Sequence, residues 1–160
     1  MIYGFTHTNK GHWNLCHIPL LPVTGTPTPG DYCSPFSHER ESAAPGYYQV
    51  FLDRYGVDAQ LSSTLRCAFH KYTYPAGAAP AVLADLQRSN EHVRAWDIRK
   101  EGDNVFAGWQ QTGEKMYFYA VANRPVTGIE PVVEGDREVR IVRFGEGDGA
   151  LELRIGFSFV

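Results

Sequence analysis

The N-terminal stretch holds the densest group of side chains that could bind a ligand. Positions 7–17 carry three histidines, a tryptophan, two asparagines and a cysteine. Imidazoles and amides exchange hydrogen bonds with hydroxyl groups, and an indole offers a flat face to a sugar ring. The apolar residues 18–23 follow and could anchor the stretch. We therefore predict a surface that holds a polar ligand, with binding residues His7, Asn9, His12, Trp13 and Asn14.

Several of these assignments have a structural alternative. His7 also fits a buried histidine that fixes the first loop, and Trp13 fits core packing beneath that loop. A zinc site is a weaker alternative, because the spacing of its candidate ligands lacks the paired rhythm of well-attested zinc motifs. Those candidates are His7, His12, Cys16 and His17.

Length, charge and cysteine content limit the possible partners. The 160 residues suffice for one domain with a core, and we assign residues 1–160 to a single domain. The formal net charge of −3 favours neither nucleic acid nor an anionic membrane as a partner. No apolar run approaches the ~20 residues needed to span a bilayer. An odd count of three cysteines indicates buried thiols, with at most one disulfide.

Alternation of apolar and polar residues predicts strands rather than helices. It is clear in residues 57–62 and 151–159, and prolines and glycines interrupt the chain at short intervals. The other predicted strands are Tyr47–Leu52, Leu65–Tyr74, His92–Arg99, Asn104–Gln111, Lys115–Ala122 and Val139–Phe144, with a weaker assignment at Ala81–Gln87. Many short strands joined by glycine-containing turns indicate an all-β fold, an antiparallel β-sandwich. Trp96 and Trp109 lie in such strands and are predicted to be core residues.

Both ends of the sequence lie close to structured motifs. Met1 precedes an apolar motif almost directly, and Val160 closes a predicted strand. Natural domain ends usually trail off in polar residues. We therefore expect a fragment of a longer chain, whose missing parts cover the exposed strand edges.

Four stretches carry the pattern of a known family. The first is G-F-T-H-T at residues 4–8, close to a G-F-S-H-T opening. The second is F-S-H-E at 36–39 with A-P-G-Y-Y-Q-V at 44–50, the third is F-H-K-Y-T-Y-P at 69–75, and the fourth is L-R-I-G-F-S-F at 153–159. In this order and at about this spacing, they resemble the N-terminal domain of glycoside hydrolase family 92. The resemblance covers nearly the whole chain.

The resemblance implies the N-terminal portion of an exo-acting, inverting and calcium-dependent α-mannosidase of bacterial type. It implies a supersandwich-like β-sandwich packed against an (α/α)6 barrel, which would follow residue 160 in the same polypeptide. In the family the barrel carries the general acid, the base carboxylates and most calcium ligands, whereas the sandwich contributes loops to the sugar pocket. The expected partners are therefore α-mannoside glycans and that barrel. The expected location is the periplasm or the extracellular space, and no leader is present in this chain.

These implications leave little chemistry on the chain itself. We predict no catalytic residue, no metal ligand and no activity for this portion alone, with calcium bound mainly by residues outside it. Asp53, Asp58, Asp85 and Asp97 each stand singly among strand and turn signals, which is typical of solvated positions. Residues 37–40, S-H-E-R, fit a local hydrogen-bonded corner better than a catalytic site.

One departure from the family pattern bears on specificity. His7 matches the family's histidine, but the opening continues as T-N-K-G-H-W-N at residues 8–14, where many members read T-H-L-S-G-T-G. The linkage and the requirement for mannose therefore stay open. Two other functions also stay open: a free-standing carbohydrate-binding sandwich, and a structural or interaction domain whose polar loop caps one end.

Overall fold

The computed structural model describes residues 1–7, 9–10 and 13–159, and the side chains of all of these except residues 9, 10, 13 and 14. It is built from antiparallel strands, with one short 3-10 helix at His38–Arg40. The all-β antiparallel sandwich predicted from the sequence is confirmed. Across the described part of the chain, no helix is long and apolar enough to cross a membrane.

The strands form one large sheet, one small sheet and one short hairpin. Their bounds are β1 Asn9–Lys10, β2 Trp13–Asn14, β3 Leu20–Val23, β4 Glu41–Ala44, β5 Tyr47–Leu52, β6 Val57–Ser63, β7 Cys67–Thr73, β8 Ala81–Ala84, β9 Ala95–Gly102, β10 Val105–Gln111, β11 Lys115–Ala122, β12 Val126–Glu134, β13 Arg137–Phe144 and β14 Leu151–Ser158. The eight-stranded sheet has the order β4-β5-β6-β7-β14-β11-β10-β9. The four-stranded sheet has the order β12-β13-β8-β3, and β1 pairs with β2.

Sequence alternation found the inner strands and missed some edge strands. The strands predicted at Tyr47–Leu52 and Lys115–Ala122 are observed with those bounds. Two unpredicted strands, β3 and β12, each contain a proline, Pro22 and Pro131. Both strands are edges of the four-stranded sheet. Proline lacks an N–H group for a sheet ladder, so within a sheet it is tolerated mainly at an edge. Its presence also makes a strand harder to predict from the sequence.

The core lies between the large and the small sheet. Strands β3 and β8 are buried along their whole length, which matches their continuous apolar sequence. The strands of the large sheet are buried on alternate residues, as in β7, where Ala68, His70 and Tyr72 face inward. A polar residue, His70, therefore stands at a core position, directly opposite Leu61 on β6 and Leu153 on β14.

Candidate functional site

An open groove of about 1210 Å³ lies at the end of the sandwich where β5 and β7 begin and β6 and β14 end. Its floor consists of inward-facing residues of the large sheet, among them Tyr48, Leu61, His70 and Phe157. These residues continue the alternation that buries Val50, Ala59, Tyr72 and Ile155 farther along the same strands. The groove is thus the open end of the inner face of the sheet.

The opposite wall of the groove comes from the N-terminal stretch. Phe5 and Leu20 exchange two backbone hydrogen bonds of 2.8 and 3.1 Å, and the His7 amide donates to the His17 carbonyl at 3.2 Å. Residues 5–7 therefore run antiparallel to residues 17–20, and both segments contribute groove-lining side chains. The β1–β2 hairpin, with Asn9 opposite Asn14, projects from between these two segments.

The structure locates the five predicted binding residues to different degrees. His7 lines the groove. Asn9, Trp13 and Asn14 lie on the β1–β2 hairpin, where only the backbone is described. His12 lies outside the described residues. Ligand contact by all five therefore stays a prediction.

His7 takes part in a directed chain of hydrogen bonds. Its Nδ1 lies 2.8 Å from the carbonyl oxygen of Ile18, which can only accept, so Nδ1 carries the proton. His7 Nε2 then accepts from His70 Nε2 at 3.3 Å. His70 Nδ1 in turn accepts from the Tyr72 hydroxyl at 2.6 Å. One backbone carbonyl thus orients three side chains, and both ring nitrogens of His7 have protein partners.

Burial keeps both imidazoles of this chain neutral. Loss of solvation lowers the pKa of His7 from 6.5 to about 4, and its two backbone hydrogen bonds oppose that shift only in part. Burial, together with the neighbouring His7, lowers the pKa of His70 well below its ordinary value. The His7 ring stacks against His70 and lies 4.5 Å, centroid to centroid, from the Phe157 ring. It therefore presents a neutral, partly apolar surface to the groove.

Tyr48 belongs to a second hydrogen-bonded group at the groove. Its hydroxyl donates to Glu41 Oε1 at 2.5 Å, while His38 Nδ1 lies 2.5 Å from Glu41 Oε2. Hydrogen bonds from these two side chains lower the pKa of the Glu41 carboxyl, and burial raises the pKa of Tyr48. Ser37 caps the neighbouring 3-10 helix by accepting from the Glu39 amide, which confirms the hydrogen-bonded corner predicted at residues 37–40.

A third group lies where the wall meets the β10–β11 turn. His17 is 5% exposed, and its Nε2 lies 3.0 Å from Glu91 Oε2 and 3.2 Å from Thr112 Oγ1. The Thr112 hydroxyl donates to the same Glu91 oxygen at 2.8 Å. All three residues line the groove. Sequence reasoning singled out neither Glu91 nor Thr112, because they lie 74 and 95 residues from His17 and carry no local motif.

The backbone on both sides of His17 is strained. Cys16 and Ile18 have φ values of 54° and 50°, in the left-handed region that a β-branched residue rarely adopts. The Ile18 amide donates to Gln110 Oε1 at 2.9 Å, and the Leu15 carbonyl accepts from the Ser89 hydroxyl at 2.8 Å. Such strain persists only where surrounding contacts over-determine it, and it clusters at functional sites.

Two predictions about single residues were wrong. Asp85 is fully buried rather than solvated, because it accepts from the Tyr32 hydroxyl at 2.6 Å and from Arg137 at 2.9 Å. Trp109 is not a core residue. It lies on the outer face of the large sheet, directly opposite Tyr117, with the Lys115 ammonium 3.7 Å from its ring centroid.

The described residues contain no group of three or more His, Cys, Asp or Glu side chains that could hold a metal ion. The three cysteines, all of them in the described part, form no disulfide with one another. Cys16 and Cys33 are half-buried and Cys67 is exposed, so the prediction of buried thiols was wrong for Cys67.

Apolar side chains stand exposed on the rim of the groove. Leu65 is 95% exposed, Phe159 54% and Tyr47 39%, and all three line the groove. Exposed apolar residues grouped around a concavity mark a surface that contacts another molecule or another part of the same one.

Comparisons with known proteins agree with this architecture. The model of the glycosyl hydrolase family 92 N-terminal domain matches residues 1–158. The structure resembles the family GH92 α-mannosidase BT3965 from Bacteroides thetaiotaomicron with a TM-score of 0.80 and 22% identity, covering 91% of this chain and 24% of that one. BT3965 was also solved in complex with mannoimidazole. A comparison with curated protein sequences found no match.

Two further solved structures show the same fold. The GH92 family glycosyl hydrolase ccman5 matches with a TM-score of 0.79 and 23% identity, covering 97% of this chain and 26% of that one. The inverting GH92 mannosidase BT2199 from Bacteroides thetaiotaomicron matches with a TM-score of 0.73 and 20% identity, covering 89% of this chain and 22% of that one. The chain spans about a quarter of the length of these structures. Because the family model matches almost its whole length, the chain belongs to the glycosyl hydrolase family 92 N-terminal domain family.

Proposed function

We propose that the chain acts as the N-terminal β-sandwich of an exo-acting, inverting α-mannosidase, and that its groove forms one side of the sugar-binding pocket. The remaining part of such a polypeptide, an (α/α)6 barrel, would form the other side. The solved enzymes that share this fold are about four times as long as the chain, which leaves ample length for that barrel.

One observation carries the proposal: all four family-like stretches meet at the groove. They contribute His7, Tyr48, His70 and Phe157, which lie far apart in sequence and line the same groove, where His7 contacts both His70 and Phe157. Core packing alone would not require polar side chains from separate parts of the sequence at one open end. The exposed apolar rim of Leu65 and Phe159 supports a groove that another part of the polypeptide covers.

The residues of the groove are suited to binding rather than to glycoside cleavage. Ring surfaces that can contact a sugar come from Tyr48, His7 and Phe157. Polar side chains that line the groove can exchange hydrogen bonds with sugar hydroxyls. An inverting hydrolase needs a general acid and a general base roughly 6.5–9.5 Å apart, with a water molecule at the base. Both groove carboxylates among the described residues, Glu91 and Glu114, lie on the β10–β11 side of the groove, so we assign the acid and base to the barrel.

Calcium belongs to the same proposal, with its ligands mainly outside this chain. The described residues offer no carboxylate cluster that fits a calcium ion, which needs six to eight oxygen ligands. We therefore assign most of its ligands to the barrel. We also propose export to the periplasm or beyond the cell, where α-mannoside glycans are accessible to an exo-acting enzyme.

Two glycine substitutions test the role of the groove in the complete polypeptide encoded by the gene. Gly113 lines the groove, Gly128 lies in β12, and a side chain at either position would enter open space. We expect Gly113→Trp to lower kcat/KM for an α-mannoside by at least about tenfold, because the indole would occupy the groove. Gly128→Trp should change it less than about twofold. Equal activity of the two variants, or no α-mannosidase activity in the wild type, would refute the proposed function.

A further inference from the structure

We propose that Glu91 is the sugar-recognising carboxylate of this groove, with His17 and Thr112 as the positioning residues that hold it. The proposed role is binding: a sugar hydroxyl donates a hydrogen bond to the carboxylate, and no covalent bond is made or broken. The inference rests on the proposed function, because it takes the ligand of the groove to be a mannose-configured sugar. Nothing in the four family-like stretches pointed to this group, which lies at the other side of the groove from Tyr48 and His70.

Hydrogen bonding fixes the direction of every contact in the group. His17 Nδ1 is buried and has no hydrogen-bond partner within the described residues. Nε2 faces the Glu91 carboxylate, which can only accept, whereas a proton at Nδ1 would be buried and unpaired, so the proton lies on Nε2. Nε2–H and the Thr112 hydroxyl then both donate toward Glu91 Oε2. Glu91 is thereby held as an acceptor with a defined orientation.

The placement of the group fits a binding role. The Glu91 side chain is 44% exposed, so it reaches the groove, whereas the His17 side chain behind it is 6% exposed. A carboxylate that accepts from hydroxyl groups forms charge-assisted hydrogen bonds, which are roughly twice as strong as neutral ones. A pair of neighbouring sugar hydroxyls offers two such donors.

The strain around His17 is explained by this role. The left-handed residues Cys16 and Ile18 turn the backbone so that the intervening imidazole points toward Glu91. The Leu15 carbonyl accepts from Ser89 and Asn90, which ties this turn to the segment that carries Glu91, and the Ile18 amide bond to Gln110 ties it to β10, the strand before Thr112. A fold tolerates such strain where surrounding contacts hold a side chain in one position.

The test uses the complete polypeptide and measures inhibition of α-mannoside hydrolysis by mannose and by its 2-, 3-, 4- and 6-deoxy analogues. We expect Glu91→Gln, which keeps the size and removes the charge, to raise the inhibition constant of mannose about tenfold. The loss should be specific to one hydroxyl. One deoxy analogue should inhibit the wild type more weakly than mannose does, and the same analogue and mannose should have equal inhibition constants for the variant. Glu130→Gln, on the other sheet, is the matched control and should behave as the wild type.

A second variant tests the positioning residues without disturbing the carboxylate. Thr112→Val should weaken the preference for the same hydroxyl, and Thr112→Ser, which keeps the donor, should restore it. If both Glu91→Gln and Thr112→Val weaken all analogues equally, or neither changes the inhibition constants, the inference is wrong while the proposed function stands. If the wild type hydrolyses no α-mannoside, the proposed function and this inference fail together.

Discussion

The Nε2 atoms of His7 and His70 lie 3.3 Å apart, so one imidazole must donate a proton to the other. The Ile18 carbonyl settles which one, because it requires the His7 proton on Nδ1. His70 is then the donor, and Tyr72 must donate to His70. Two of the family-like stretches are joined by this contact, which spans 63 residues of sequence.

The neutral histidine pair makes the free energy of unfolding depend on pH. The pKa of His7 is about 4 in the folded chain and near 6.5 in the unfolded chain. Between these values the unfolded chain binds a proton that the folded chain does not, so acid favours unfolding. We expect the contribution of His7 to the free energy of unfolding to be complete above pH 6.5. It should fall by on the order of 2 kcal/mol as the pH falls toward 4, and His70 should act in the same direction.

Urea denaturation between pH 7 and pH 4 measures this dependence. His92→Gln is the matched control and should retain the dependence on pH, because that exposed histidine lies outside the buried pair. A free energy of unfolding that stays constant from pH 7 to pH 4.5 would contradict the neutral pair.

Removal of the Tyr72 hydroxyl should destabilise the chain. Tyr72→Phe leaves the ring in place but deprives the buried His70 Nδ1 of its donor. An unpaired buried acceptor costs about 1–3 kcal/mol. Tyr117→Phe, on the exposed outer face, should cost less than about 0.5 kcal/mol in the same denaturation experiment. Equal costs for the two variants would show that the hydroxyl of Tyr72 has no buried partner.

Two strand glycines should respond in opposite ways to alanine. A Cβ at Gly108 would clash with the Asp97 carbonyl oxygen and lie 2.9 Å from the Phe118 ring, so Gly108→Ala should cost about 1–3 kcal/mol. A Cβ at Gly156 would meet no atom within 4 Å, so Gly156→Ala should be neutral or stabilising. Thermal unfolding distinguishes them. If Gly108→Ala is tolerated as well as Gly156→Ala, then β9, β10 and β11 do not pair in the register described.

The buried Asp85 predicts unequal costs for two arginines. Arg137→Met removes one of two hydrogen-bond donors from the fully buried Asp85 side chain, and the loss of such a donor costs about 1–3 kcal/mol. Arg99→Met removes an exposed pair with Glu101, and such pairs contribute at most ~1 kcal/mol. Chemical denaturation of both variants measures the difference. Similar small losses would mean that Arg137 does not hold the buried Asp85 side chain.

Sequence patterns predicted the inner strands because period-two alternation reports burial of one face directly. They missed β12, where Gly128 and Pro131 interrupt the alternation at an edge that tolerates them. They pointed to His7, but they did not show that both its ring nitrogens are bound by the protein. The sequence could not predict the partners of His17, because long-range pairing rather than local spacing brings Glu91 and Thr112 beside it.

A crystal structure of the complete polypeptide with mannoimidazole would show whether the groove of this chain holds the sugar ring. We expect the inhibitor ring to lie in the groove, within contact distance of Phe157 or Glu91, with barrel residues on its other side. An inhibitor bound entirely by residues outside this chain, with the groove filled by packed protein side chains, would contradict it.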